Sequence, residues 1–445
     1  MKIGFVSLGC PKNQLDTEVM LSEINAAGYE ITAEETEADV IILNTCGFIK
    51  DAKTEAIDNI LDLAWLKENA KLKKLIVCGC LVQRYGDEIL EQFPEVDAIL
   101  SVGAIHDVVS VIERVMAGER FSVLKKPEEA ALGGDRIVTT PEYFAYMKIA
   151  EGCDNRCTYC AIPDIRGSFR SRPIEELIAE AKDMEALGVR ELILVAQDTT
   201  RYGFDLYGEY RLDELIQRIT DETNIPWIRV LYCYPDKITD GLCEQFRSND
   251  RLVKYVDMPI QHINDEVLKR MNRHGGRAVI EDAVKRLREA CPEIIIRTTV
   301  IVGFPGESGE QFEELINYLA EAKFERLGAF TYSKEEGTPA EKLDGHLPEQ
   351  KKKRRYDAVM KQQNKIGEKI NSARIGKREI AMVEGYDPVS DSYFCRTAKE
   401  APEIDGKVYL VGAPKNAFAP GDMVDVLITD AMDCDLVAEI YDITK

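Results

Sequence analysis

Apolar positions in the first quarter of the chain fall into short continuous runs, at residues 3–8, 40–43, 75–77 and 98–102. Runs of this kind, bounded by turn residues, read as strands buried on both faces. Between them the apolar period lengthens to that of a helix. Asn13 is placed to cap a helix that turns Leu15, Val19, Met20 and Ile24 inward and stops near Gly28. Further helical patterns cover about 51–66, 83–93 and 106–116. This repeated alternation over residues 1–117 predicts an α/β fold, a doubly wound parallel sheet with helices on both faces. A polar linker, 118–138, carries Pro127, Gly133 and Gly134. From 139 to 370 the alternation resumes, with strands at 144–149, 191–196, 227–232, 255–258, 294–302 and 327–330 and helices such as 174–187 and 309–322. Six such units fit either a partial (β/α)6 barrel or a second doubly wound sheet, and periodicity does not choose between them. The end of the chain, 372–445, changes to short strands at 379–383, 393–397, 407–410 and 424–428, which predicts a small antiparallel β-barrel.

Charge narrows the partners. The 445 residues hold 57 Lys and Arg against 79 Asp and Glu, a net charge of −22. Broad electrostatic capture of a nucleic acid backbone is disfavoured, and a basic protein partner is easier to accommodate. The region 351–374 is the exception, with nine Lys or Arg against Asp357 and Glu368; a solvated face lying on an acidic body is the favoured reading over an RNA contact. No apolar run approaches the roughly 20 residues of a membrane helix, and residues 1–6 read directly as a strand, so a cytoplasmic protein with no membrane contact is expected. Four histidines leave little imidazole chemistry. Twelve cysteines in a reducing compartment instead point to metal or redox work.

Cys153, Cys157 and Cys160 form a C-x3-C-x2-C run directly after a strand and the turn residue Gly152. Structural zinc recruits four protein ligands, and no fourth Cys or His lies near this run. Three thiolates suit a 4Fe-4S cluster with one iron left open to a small molecule. Cys10, Cys46 and Cys80 lie at or just past the ends of the first three strands, the edge where open parallel sheets bind ligands. Gly9, Gly47 and Gly79 adjoin them and allow close backbone approach. They form a second candidate tri-thiolate site. Cys78 lies two residues from Cys80, and on a strand the two share a face, so spacing alone leaves either as the ligand.

The C-x3-C-x-aromatic-C pattern, with Tyr159 as the aromatic, resembles the radical S-adenosylmethionine superfamily. That resemblance implies a partial barrel of six units, an open iron chelated by S-adenosylmethionine, and one-electron cleavage to a hydrogen-abstracting radical. Its candidate cofactor contacts at the strand ends are Gln197, Asp198, Arg229, Gln261, Arg297 and Gly303, beside Tyr159. Two tri-cysteine sets and a terminal barrel make the whole chain similar to the methylthiotransferases, which implies an N-terminal domain with an auxiliary 4Fe-4S cluster, a radical core and a TRAM domain. The resemblance makes Cys10, Cys46 and Cys80 ligands of the auxiliary cluster and Cys153, Cys157 and Cys160 ligands of the radical cluster. The strings Leu8-Gly9-Cys10-Pro11-Lys12-Asn13, Gly79-Cys80-Leu81-Val82-Gln83-Arg84-Tyr85, Ala161-Ile162-Pro163 and Gly167-Ser168-Phe169-Arg170-Ser171-Arg172 look like the branch that modifies an aspartate β-carbon in small-subunit ribosomal protein twelve, rather than the branch that modifies transfer RNA adenosine. The tail from residue 375 agrees on charge, with 7 basic and 14 acidic residues, whereas an RNA-gripping barrel needs a cationic face. The implied partners are the ribosomal protein, an external electron donor and a sulfur donor. A non-catalytic iron–sulfur electron carrier is the competing reading of another class; it explains the thiolates but not the long barrel behind them.

Overall fold

The computed structural model describes residues 1–441. Its first sheet contains β1 (Lys2–Ser7), β2 (Glu30–Thr32), β3 (Val40–Thr45), β4 (Lys74–Gly79), β5 (Ala98–Leu100) and β6 (Phe121–Val123), in the spatial order β2-β1-β3-β4-β5-β6 with every pair parallel. The order turns back between β1 and β3, as a doubly wound sheet requires, and opens a crevice at their carboxyl ends. Strands β2 and β6 are not foreseen by the apolar pattern; each is three residues long, lies at a sheet edge and has no buried residue. Three helices shape the crevice: α1 (Pro11–Ala26), α2 (Lys50–Asn69) and α3 (Cys80–Tyr85). Helix α1 starts earlier than expected. Pro11 occupies its first turn, where a missing N–H costs nothing, and Cys10 is the residue that precedes it. Asn13 is therefore not a cap: it is buried, and its amide donates to Leu8 O at 2.7 Å. The helix expected over 83–93 is broken at Gly86 into α3 and a short helix Glu88–Gln92.

The central unit holds β7 (Phe144–Lys148), a small antiparallel hairpin of β8 (Ala150–Glu151) and β9 (Arg170–Ser171), then β10 (Glu191–Val195), β11 (Trp227–Val230), β12 (Leu252–Asp257), β13 (Ile295–Val302) and β14 (Arg326–Thr331). The six main strands are parallel neighbours in strict chain order, β7-β10-β11-β12-β13-β14. No reversal occurs, so the sheet winds one way as a partial barrel rather than as a second doubly wound sheet. On β13, Ile296, Thr298, Val300 and Val302 are buried, while Arg297, Thr299 and Ile301 on the opposite face are only partly covered.

The terminal barrel closes as β15-β16-β17-β19-β18, from β15 (Arg378–Asp387), β16 (Ser392–Thr397), β17 (Val408–Leu410), β18 (Met423–Met432) and β19 (Asp435–Ile440). The fifth strand, β19, is absent from the sequence expectation. This barrel packs against the first halves of the central strands: Tyr146, Trp227, Tyr255 and Ile295 share one apolar cluster with Met382 and Ala401. That packing corrects the expectation for Arg229. Its fully buried guanidinium pairs with Glu191 at 2.6 Å and donates to the carbonyls of Ala398 and Glu400, so it fastens the terminal barrel instead of meeting a cofactor.

The basic helix Glu349–Ser372 and the residues just after it divide their cations. Lys352, Arg355 and Arg374 are buried on Tyr332 O, Glu307 O and the carboxylates of Glu379 and Glu400, while Lys351, Lys353, Arg354, Lys361, Lys365 and Lys369 face outward. Burial opposes the charge on Glu400, but the Arg374 and Arg326 guanidiniums overcome it and hold the carboxyl at about 2, below its ordinary 4.5. A carboxyl depressed in the folded state contributes stability that is present above its unfolded value and lost as pH falls toward the folded one. Glu400→Gln is accordingly expected to cost about 3 kcal/mol at pH 7, by stranding two buried arginines. The gap to the unaltered chain should narrow by pH 3 in thermal melts. An equal gap at both pH values would show that Glu400 does not hold this junction.

Candidate active site between two cysteine loops

Cys10 ends the connection from β1 to α1, Cys46 follows β3, and Cys80 is the first residue of α3. The glycines beside them let the three connections press on one another. A Cβ on Gly9, at φ +93, would lie 2.8 Å from Cys46 Cβ, and one on Gly47 would lie 2.8 Å from Leu81 Cα and 2.9 Å from Cys80 O. Gly47→Ala is expected to push α3 away from Cys46 and to lose about half of the bound iron, which iron analysis of the anaerobically purified protein would read. Full iron content in that variant would sever the link between the contact and the ligand set. Cys78 does not share the site. It stays in β4, fully buried among Ile3, Met20, Ile42 and Ile76, because the chain leaves the strand at Gly79, at φ +92, before Cys80.

Cys153, Cys157 and Cys160 lie on an excursion whose base is tied shut. Strands β8 and β9 pair beneath it, and Cys153 N donates to Gly167 O at 3.1 Å. The loop is fastened to the ends of the central strands. Asn155 donates to Asp198 at 2.8 Å, Thr158 N and Oγ1 donate to the carbonyls of Met271 and Arg270, and Asn272 donates to the carbonyls of Asn155 and Arg156. Tyr234 and Arg273 stack at 3.9 Å beside Cys157, whose sulfur lies 4.0 Å from the Tyr234 hydroxyl.

Between the two loops lies a cavity of about 730 Å³. One wall is Phe48–Asp51, which begins two residues after Cys46; the other includes Tyr159, Gln261, Thr299, Ile301 and Tyr332. Glu335, only 2% exposed, holds the walls together. It accepts hydrogen bonds from Lys50 N at 2.8 Å, Lys53 Nζ at 2.8 Å and Arg84 Nη1 at 3.1 Å, all from the N-terminal unit. Two of the lining residues carry a buried polar atom without a partner, the Tyr332 hydroxyl and Gln261 Oε1. Gln261 also carries φ +69, a conformation that side-chain-bearing residues rarely adopt and that clusters at functional sites.

Three family models match the chain: Uncharacterized protein family UPF0004 over residues 2–101, the Radical SAM superfamily over 147–319 and the TRAM domain over 375–440. The ribosomal protein uS12 methylthiotransferase RimO of Desulforamulus reducens is 47% identical over 443 residues, spanning 98% of this chain and 99% of its own. Its namesake from Clostridium botulinum is 48% identical and spans 99% and 98%. The chain belongs to the ribosomal protein uS12 methylthiotransferase family. Among solved structures, the radical S-adenosylmethionine methyltransferase TsrM from Kitasatospora setae, with cobalamin and a 4Fe-4S cluster bound, shares the fold at a TM-score of 0.57 and 14% identity, over 76% of each chain.

Radical S-adenosylmethionine methylthiotransferases work with S-adenosylmethionine and 4Fe-4S clusters. The residues of both loops fit such groups. Each loop brings three thiols, a donor set that suits a 4Fe-4S core with one open iron better than a four-ligand structural zinc. Burial pushes the Cys80 and Cys153 thiols up to about 12, with Arg166 and the Asn155 N–H pulling each back only in part; coordination to iron is the kind of charge that removes such protons. Among the described residues no helix is long and apolar enough to cross a membrane.

The remaining expected contacts of this uS12 methylthiotransferase family member divide. Tyr159 packs beside Met271, Phe304 and Tyr332 and lines the cavity with Gln261. Gln197 donates to Glu151 at 2.5 Å, and Asp198 is spent on holding Asn155 and Thr200, so both act on the cysteine loop from beneath. Arg297 and Gly303 are corrected. Arg297 is the third residue of β13, far from its carboxyl end, and pairs with Asp257 at 2.7 Å. The N–H groups of Gly303 and Phe304 both donate to the Glu307 carboxylate, and a Cβ on Gly303 would meet Lys352, so that backbone is already occupied. Sequence reasoning misses Glu151, Arg166, Tyr234, Arg273 and Tyr332. A buried Glu and Arg flanking the cysteine run would have been the nearest signal.

Proposed function

We propose that this chain methylthiolates an aspartate β-carbon of ribosomal protein uS12, with Cys153, Cys157 and Cys160 holding the cluster that binds S-adenosylmethionine and Cys10, Cys46 and Cys80 holding a second. The observation that carries this reading is the cavity walled on one side by the chain leaving Cys46 and on the other by Tyr159, between Cys157 and Cys160. When bound, the two clusters and S-adenosylmethionine supply the radical that removes hydrogen and the methylated sulfur that replaces it. The chain's own work is to position and to exclude water. Asp198 and Asn272 set the backbone of the radical loop. Glu335 keeps the walls in register, and Phe48 and Tyr159 line the space between them. Gln261 and Tyr332 line the same space. The terminal barrel, with 7 basic and 14 acidic residues from position 375 on, suits a cationic protein more than RNA. The N-terminal domain runs to Val123, because β6 completes its sheet and shortens the linker expected over 118–138; the radical core covers 139–370 and the terminal domain 372–445, in a cytoplasmic protein served by external electron and sulfur donors.

Anaerobic incubation with uS12, S-adenosylmethionine, a reductant and a sulfur source should add one methylthio group to one aspartate, read by intact and peptide mass spectrometry. Modification of transfer RNA adenosine with uS12 untouched would overturn the substrate. Bound iron without 5′-deoxyadenosine release would favour a mere electron carrier.

A further inference from the structure

Arg166 ends the short helix Ile162–Arg166 that follows Cys160, and it is 1% exposed. Its Nη1 donates to Asp16 Oδ2 at 2.5 Å and Glu151 Oε2 at 3.3 Å. Its Nη2 donates to Asn13 Oδ1 at 3.0 Å and to Cys80 Sγ at 3.2 Å. Four N–H groups thus have four partners, and one of these is a candidate ligand sulfur of the other cysteine loop. Lys148 completes the group, 2.6 Å from Asp16 and 2.8 Å from Glu151, so one buried and one partly buried cation face two buried carboxylates. Gln197 extends it to the end of β10 through Glu151. A continuous buried chain of contacts therefore runs from the mouth of the central barrel, through the residue that closes the radical loop, to Cys80 across the domain boundary.

Hydrogen bonds to cluster sulfurs stabilise the extra negative charge of the reduced state and raise its potential, and groups just outside the ligands also orient them. We propose that Arg166 is a positioning residue whose N–H···S bond to Cys80 raises the reduction potential of the N-terminal cluster and holds that cluster in register with the radical loop. This rests on the reading of Cys10, Cys46 and Cys80 as ligands.

The test is a redox titration of the full chain with both clusters, followed by electron paramagnetic resonance. The signal that S-adenosylmethionine does not shift reports the N-terminal cluster. Two variants keep the buried charge balanced: Arg166→Lys, and Arg166→Gln combined with Asp16→Asn. Both are expected to lower the N-terminal potential and leave the other unchanged, the double variant by about tenfold in the equilibrium constant, or about 59 mV for one electron. An unmoved N-terminal potential at full iron content overturns the proposal. If the unaltered chain binds about four irons rather than about eight, the ligand reading fails first and takes the proposal with it. If both variants shed the cluster, the unaltered protein labelled with 15N-arginine decides. An isotropic nitrogen coupling to the reduced N-terminal cluster supports the bond, and its absence overturns it.

Discussion

Cys153→Ala is expected to reduce 5′-deoxyadenosine release to background and to remove about half of the iron. Gly152, at φ +80, turns the chain out of β8 directly into Cys153, and Cys153 N closes the base of the loop on Gly167 O. The two sulfurs left would come from residues 157 and 160, on the far side of the excursion, and no other thiol is placed to replace the first: Cys233, the cysteine beside the neighbouring Thr199, is buried against that hydroxyl at 3.6 Å. Without a third ligand the cluster is lost, and with it the electron that opens the sulfonium. Cys434→Ala, at an exposed cysteine of the terminal barrel, is the control and should change nothing. Adenosine release at the unaltered rate from Cys153→Ala would remove the radical assignment altogether.

Cys46→Ala separates the two halves of the reaction. Release of 5′-deoxyadenosine should persist, because the stretch that carries Cys153, Cys157 and Cys160 keeps its contacts with Asp198, Met271 and Asn272, none of which involves Cys46. Methylthiolation of uS12 should fall to background. Cys46 sits where the sheet order reverses, pressed against Gly9 on one side and next to Gly47 on the other. Cys78 cannot take its place, being locked in the core of β4. The two readouts, adenosine by chromatography and uS12 by mass spectrometry, come from one reaction mixture. Loss of both together would mean that Cys46 supports the fold of the cavity wall at Phe48 rather than a separate cluster. Retention of both would end the two-cluster reading.

The correct and the incorrect expectations follow different physics. The doubly wound sheet and the six βα units were legible because strands buried on both faces write continuous apolar runs, as at residues 40–43 and 192–195. The edge strands β2 and β6 wrote none, since each is three residues long and only partly covered. The choice between barrel and doubly wound sheet for the central unit needed the order of the strands, which no local pattern carries. Arg229 and Arg297 were read as site residues because barrels of this kind carry their chemistry at the carboxyl ends of the strands, where the pattern placed both. Both are instead spent at the end of the strands that the terminal barrel covers, a surface that exists only once the two domains meet.

The sequence by itself singled out the candidate donors: six cysteines at fixed spacings or at equivalent strand ends, the glycines beside them and the order of three domains. Such signals are local, since an eight-residue loop or the end of a strand brings its own thiols into place. Tertiary structure alone decided what surrounds them. Arg166 reaches Cys80 across 86 positions, and Glu335 reaches Lys53 across 282. Contacts of that length leave no period and no spacing in the chain, because they are selected by how finished domains pack and by the cost of burying a charge without a partner.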